Sequence, residues 1–200
     1  MTERSEDLQL FVDTAFVAFD QFARAPEARG SMREIFAALE KPGQMRSGPG
    51  SRLPVCGELD AALSIDTPHS ALQRLIERFK AIEPQLEWRR RPTHDATASE
   101  NFVDGHANAM IIGPGGLEQR GDIWLGVSLL APGVRYPDHN HGPEEVYLVL
   151  SEGEFQQGEG DWFSHGIGGP FYNLPGIKHA MRSVGTPLFA LWALLAEHPH

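Results

Sequence analysis

Two histidines, His139 and His141, stand two residues apart, and Glu145 follows in the same stretch. An extended chain sends every second side chain to one face, so both imidazoles can aim at one point. His179 sits just behind a Pro175-Gly176 turn and offers another imidazole. Two or three imidazoles and a carboxylate converging on a β core suit one divalent transition metal, with Zn, Fe, Mn and Ni all compatible. Tyr147 shares the strand face of Glu145, while Val146, Leu148 and Leu150 take the other face, expected to pack against a second sheet. A buried carboxylate and phenol are costly unless paired or bound to a metal, so their position favours a functional site.

Around these residues the pattern is that of short strands. The runs Ile123–Leu130, Glu145–Leu150, Trp162–Ile167 and Leu188–Leu195 are apolar or alternating and are separated by Gly, Pro and Asp. They predict an antiparallel sandwich or barrel over residues 96–200. The preceding part, residues 1–95, reads as helical and packed on the barrel. Ser5 opens a first helix, with Leu8, Phe11, Val12, Ala15, Phe16 and Phe19 on one stripe. Ser31 to Glu34 has the form of a capping box for a second helix. Thr67-Pro68 starts a third, with Leu72, Leu75, Ile76, Phe79 and Ile82 on one face and an end near Pro84. Residues 41–54, rich in Gly, Pro and Ser, form a loop that is either a connector or a lid.

Composition narrows the partners. A hydrophobic content of 41% with 22% charged residues is that of an ordinary soluble domain. No run approaches the roughly 18 apolar residues of a membrane span. The acidic start lacks a secretory pattern and Cys56 is the single cysteine, which together predict the cytoplasm. A net charge of −10 argues against nucleic acid and anionic membranes. Residues 101–200 carry four Lys and Arg against eleven Asp and Glu, so an anionic substrate needs a local cation there. Arg89-Arg90-Arg91 is the one basic run and reads as a solvated turn. His106 and His165 lack ligand spacing and read as surface or hydrogen-bonded groups, and His69, His94, His198 and His200 as exposed.

The segment Gly133-x5-His139-x-His141-x3-Glu145-x7-Gly153 resembles the first cupin motif, with one extra residue before its last glycine. Gly168-x5-Leu174-Pro175-Gly176-x2-His179-x3-Ser183 resembles the second, with Leu174-Pro175 and Ser183 departing from it. The resemblance implies a mainly β fold, the double-stranded β-helix or jelly-roll barrel, here with an N-terminal helical extension. It also implies one metal; general cupins hold it with the equivalents of His139, His141, Glu145 and His179. Tyr136-Pro-Asp-His-Asn-His-Gly-Pro-Glu-Glu-Val-Tyr147 after a helical region is similar to the bacterial dimethylsulfoniopropionate (DMSP) lyases of the short Q type. That narrower resemblance implies His141, Glu145, Tyr147 and His179 as ligands, with His139 beside the metal and Tyr136 on the pocket wall. Whether His139 or Tyr147 completes the set stays open at this level. Cupins often pair through the barrel or the helices, so a homodimer is a candidate state.

The substrate implied is a small zwitterion with a carboxylate at one end and a dimethylsulfonium at the other. Its cleavage to dimethyl sulfide and acrylate removes the proton α to the carboxylate and expels the β-sulfonium. A metal holding the carboxylate offsets its charge, and coordination brings a phenol's pKa down from about 10. Tyr147 is the first candidate base and Tyr136 the second. A sulfonium favours aromatic faces; Trp162 and Trp192 are the first candidates, with His139 and Tyr136 as further substrate contacts, and Phe163, Phe171 and Tyr172 also available. An Fe(II) dioxygenase and a non-enzymatic ligand-binding cupin are the alternatives.

Overall fold

In the computed structural model, which describes residues 3–196, helix α1 (Glu6–Phe22) begins at Ser5, whose hydroxyl accepts from the Leu8 N–H at 3.4 Å. Its buried face carries Leu8, Phe11, Val12, Ala15, Ala18, Phe19 and Phe22. Phe16, expected on that stripe, is 42% exposed and leans on Phe36 of the next helix instead. Helix α2 (Pro26–Leu39) starts before the expected capping box, at a proline whose fixed φ suits a first turn. Ser31 is therefore inside the helix, with its hydroxyl oxygen 3.2 Å from the Glu27 carbonyl. After a short helix α3 (Leu59–Ala62), α4 (Ser70–Ile82) buries Leu72, Leu75, Ile76, Phe79 and Ile82, as its spacing predicts.

Two strands of the N-terminal part join the barrel: β1 (Gln44–Met45) and β2 (Trp88–Arg89). The stretch 41–54 is tied down rather than free. Arg46 pairs with Glu87 at 2.7 Å, and Ser51 exchanges backbone bonds with Leu86 and Trp88 at 2.9 Å each. A further short helix, α5 (Phe102–Gly105), leads into β3 (His106–Ile112), followed by β4 (Glu118–Gln119), β5 (Ile123–Leu130), β6 (Arg135–His139) and β7 (Glu145–Val149). Then come β8 (Glu154–Gln157), β9 (Pro170–Asn173), β10 (His179–Arg182) and β11 (Leu188–Leu195). The strand expected at Trp162–Ile167 does not form; there is a single bridge, Phe155 to Phe163, before the chain turns through Gly166 and Gly168 at positive φ.

The larger sheet runs β1-β4-β3-β5-β11-β7-β9, with β2 on β3, and the smaller runs β6-β10-β8. Nearly all pairs are antiparallel, and the two sheets form the expected barrel with helices on one side. Between the sheets lies one core, with Tyr136, Tyr147, Val149, Phe155, Phe171, Met181, Leu188 and Ala190. The other face of the larger sheet packs under the helices, where Val146, Leu148 and Leu150 join Phe11, Phe79 and Phe189. The expectation that those aliphatic residues face the second sheet is thus corrected. The helices cover the outer face, so these strands are apolar on both sides. Phe79 of α4 meets Phe189 of β11 with ring centroids 4.9 Å apart. Burying each such ring is worth about 2–3 kcal/mol.

Candidate metal centre and cavity

His139 closes β6 and His179 opens β10, and the two are register partners across the smaller sheet. Their rings lie 4.1 Å apart, centroid to centroid. His141 lies between β6 and β7, and Glu145 is the first residue of β7 on the larger sheet. The Pro175-Gly176 turn places His179; Gly176 has φ 72°, a conformation that favours glycine, and its N–H donates to the His141 carbonyl at 2.9 Å. The two sequence motifs are therefore bonded to each other.

Ligand atoms of His141, Glu145 and His179 all lie within 4.8 Å of one another. The His141 Nε2 is 3.1 Å and the His179 Nε2 is 3.3 Å from the same Glu145 oxygen. Each histidine sets its Nδ1 against a backbone carbonyl: His139 on Pro137 at 2.9 Å, His141 on Pro143 at 2.7 Å, His179 on Ile177 at 3.0 Å. A carbonyl can only accept, so each Nδ1 carries a hydrogen and each neutral ring keeps its lone pair on Nε2. The buried His179 Nε2 makes no hydrogen bond of its own. These donors fit a divalent metal. His139 falls outside the three-residue group and stands next to it.

Burial alone would raise the Glu145 carboxyl, but the two imidazoles outweigh it and hold its pKa near 2. Burial and the neighbouring His179 push His139 down to about 3. His141 is raised: burial pulls it down, but the bond its protonated ring makes to Glu145, the charge of that carboxylate and the Pro143 carbonyl together outweigh burial. Near neutral pH the carboxylate is charged and His139 is neutral, as ligation of a cation requires. Asn173 adds a bond to Glu145 at 3.2 Å. The neighbouring Glu144 points the other way, where it accepts from Ser31 of α2 and from the Tyr172 hydroxyl.

The Tyr147 ring is buried and stacks on Phe171 at 4.8 Å, and its hydroxyl is raised well above 10 by burial and by Glu145. Tyr136 is also raised, again chiefly by burial. Tyr136 ends a directed chain of hydrogen bonds. The Trp192 indole N–H donates to Ser128 Oγ at 3.1 Å, which donates to Asn108 Oδ1 at 2.7 Å, and the Asn108 amide donates to the Tyr136 hydroxyl at 3.1 Å. An indole can only donate, and with the Asn108 amide oxygen turned to Ser128 the amide nitrogen faces the Tyr136 oxygen. That donor and the nearby Arg91 both oppose the effect of burial.

Asn108, Ser128, Tyr136, His139, His141, Glu145, Tyr147 and Trp192 line a cavity of about 380 Å³, together with Trp124, Met181 and the run Arg89 to Arg91. Trp192 has room there because position 126 is glycine; a Cβ would lie 2.4 Å from its ring carbons. Trp162, expected on the pocket wall, is not part of it. Its ring lies against Arg182 and Arg135, whose guanidinium carbons are 4.2 Å and 5.4 Å from it. Nor does any residue of 41–54 line the cavity. The arginine run is corrected as well: Arg89 and Arg90 are exposed at the cavity edge, but Arg91 is half-buried over Tyr136. His106 is buried, and His165, exposed, leans on Phe171; His198 and His200 lie outside the described residues. Asn108, Ser128 and Gly126 escaped the sequence reading. Their signals were polar or glycine positions inside otherwise apolar strands, where a close approach or a partner is implied.

Among the described residues, no helix is long and apolar enough to cross a membrane. The chain is 27% identical over 149 residues to dimethylsulfoniopropionate lyase DddQ of Ruegeria pomeroyi, covering 70% of this chain and 69% of that protein. The crystal structure of DddQ from Ruegeria pomeroyi aligns over 98% of this chain and 95% of its own, at TM-score 0.72 and 23% identity. A chain from the crystal structures of the DMSP lyases RdDddP and RnDddQII aligns over 95% and 92%, at TM-score 0.71 and 23% identity. At these identities the two structures speak to the fold. The model of the dimethylsulfoniopropionate lyase family matches residues 27–190, most of the chain, and the protein belongs to that family.

Proposed function

We propose that the protein is a metal-dependent lyase that cleaves DMSP to dimethyl sulfide and acrylate by β-elimination. The observation that carries this is the convergence of His141, Glu145 and His179, two of which, His141 and Glu145, line the cavity that Tyr136 and Tyr147 also line. His141, Glu145 and His179 would hold the metal, with Tyr147 as a fourth ligand and His139 beside it. When bound, such an ion offsets the charge of the substrate carboxylate and favours ionised phenol over neutral phenol.

The protein's own groups then do the following. A tyrosinate takes the proton from the α-carbon; Tyr147 is the first choice and Tyr136 the second. The C–H electrons form the double bond to the β-carbon, the β-carbon–sulfur bond breaks, and dimethyl sulfide leaves with that electron pair. The phenol then returns its proton to water, leaving acrylate. Trp192, the Tyr136 ring and His139 line the space for the substrate.

Headspace gas chromatography after incubation with DMSP tests this, with chelation and metal re-addition as the two arms. The expected result is sulfide and acrylate in equal amounts, released only with metal. A folded, metal-loaded protein that releases no sulfide would reject the reading and turn attention to oxygen uptake.

A further inference from the structure

Three consecutive arginines border the cavity, and two of them are already engaged. Arg89 pairs with Glu87, and Arg90 pairs with Asp104 at 2.8 Å. Arg91 differs. It is half-buried, lines the cavity, and has no carboxylate within salt-bridge distance among the described residues. Its guanidinium carbon lies 5.5 Å from the centre of the Tyr136 ring.

The backbone beneath it is fixed. The Arg91 N–H donates to His106 Nε2 at 2.8 Å, and the other ring nitrogen of His106 bonds to the Phe102 carbonyl. His106 is 1% exposed and stacks on Phe102, with centroids 3.7 Å and planes 6° apart. Nε2 must accept, so Nδ1 carries the hydrogen and the ring is neutral. Burial lowers its pKa in agreement. A buried histidine that ligates nothing thus serves as a peg for the residue carrying the cation.

This places a guanidinium without a carboxylate partner among the described residues at a cavity whose other walls come from the acidic half of the chain. Its charge is felt at Tyr136, His139 and Tyr147. A guanidinium presents paired N–H donors that match the two oxygens of a carboxylate.

We propose that Arg91 binds the carboxylate of the substrate, fixing the anionic end beside Tyr136 and selecting for carboxylate-bearing substrates. The assignment rests on the lyase reading for the identity of that substrate, and adds a protein cation to the metal as a second hold on its carboxylate. It makes Arg91 a specificity residue and His106 its positioning residue.

The test is calorimetric titration of the full-length, zinc-loaded protein with propionate and, separately, with neutral propionamide. Arg91→Gln should weaken propionate binding about tenfold or more, the scale of a lost charge-assisted pair. Propionamide affinity and zinc content should stay unchanged. Arg91→Lys should recover part of the loss, and exposed Arg74→Gln on α4 should match wild type. Arg91→Met keeps the packing of the stem and serves in the same way if Arg91→Gln does not fold. With DMSP, KM should rise in proportion while kcat falls less. Propionate binding within twofold of wild type in both neutral variants would overturn the proposal. So would equal loss of propionate and propionamide, or a wild type that binds no propionate. A wild type that binds propionate but cleaves no DMSP would count against the lyase reading alone, because the titration needs no turnover.

Discussion

Glu145 sets the charge state of its neighbours. Its carboxylate raises His141 and adds to burial, the larger cause, in holding the Tyr147 hydroxyl protonated, so a base in this cavity needs a countercharge before it can work. The sharpest test at this scale is Tyr147→Phe. With metal content shown to be retained, it should lower kcat by roughly 10²–10⁴, the usual contribution of a positioned base. Tyr136→Phe should cost less. The reverse order, measured in the same sulfide assay, would move the base role to Tyr136, whose oxygen already receives the Asn108 donor. At the residue scale, much of the cavity was legible because His139, His141, Glu145 and Tyr147 lie within one short segment with period-two spacing. Arg91 was not legible. It comes from far upstream, and its partners, Tyr136 and His106, are set by the packing of α5 and β3 rather than by local sequence.

Strands β5 and β11 carry the wall beside β7 in register, Trp192 between Gly126 and Tyr147 and Ala190 beside Ser128. Both were legible to the residue, because long apolar runs bounded by turn residues leave little choice. The short strands β8, β9 and β10 were not; four residues each give too little pattern, and the glycines near them suggest turns only. Ser31 misled for a different reason: its spacing to Glu34 fits a cap, yet the helix nucleates at Pro26 upstream. Gly126→Ala tests the wall itself. The added methyl would meet the Trp192 ring at 2.4 Å and the Ala109 carbonyl at 2.8 Å, so the indole must move off Ser128. Overpacking of this kind costs about 1–3 kcal/mol. Denaturant unfolding should show that loss, and KM for DMSP should rise as the chain to Tyr136 breaks. A variant with wild-type stability and KM would show that the seat of Trp192 is not constrained.

For the whole molecule, the candidate centre joins the two sheets: Glu145 belongs to the larger and His179 to the smaller. An ion there acts as a cross-link that the unfolded chain lacks. At free metal about 100 times its Kd, it should add roughly 2.7 kcal/mol, or about 5–10 °C in Tm for a chain of this size. Chelation should remove that gain. Acid should remove it too, with a definite sign. His141 must be neutral to ligate, and its pKa lies above the ordinary value of 6.5, so the gain should be full well above that pH and fade as pH falls through the raised value. Thermal melts with and without zinc between about pH 5 and 8 check this; a gain undiminished at the acid end would remove His141 from the ligand set.

The paired acids at the start of β7 have a less obvious consequence. Glu144 is committed outward to Ser31 and Tyr172, and Glu145 inward to the histidines. Were the strand to slip by one position, or a copy of the sequence to gain one residue in the preceding turn, Glu144 would arrive where Glu145 now stands. A carboxylate would still greet a cation. The position two residues on, however, would present Val146 in place of the Tyr147 phenol. The doubled acid therefore hides a frame error: such a protein would pass a metal-binding assay and a casual motif scan, and would betray itself only by failing to turn over.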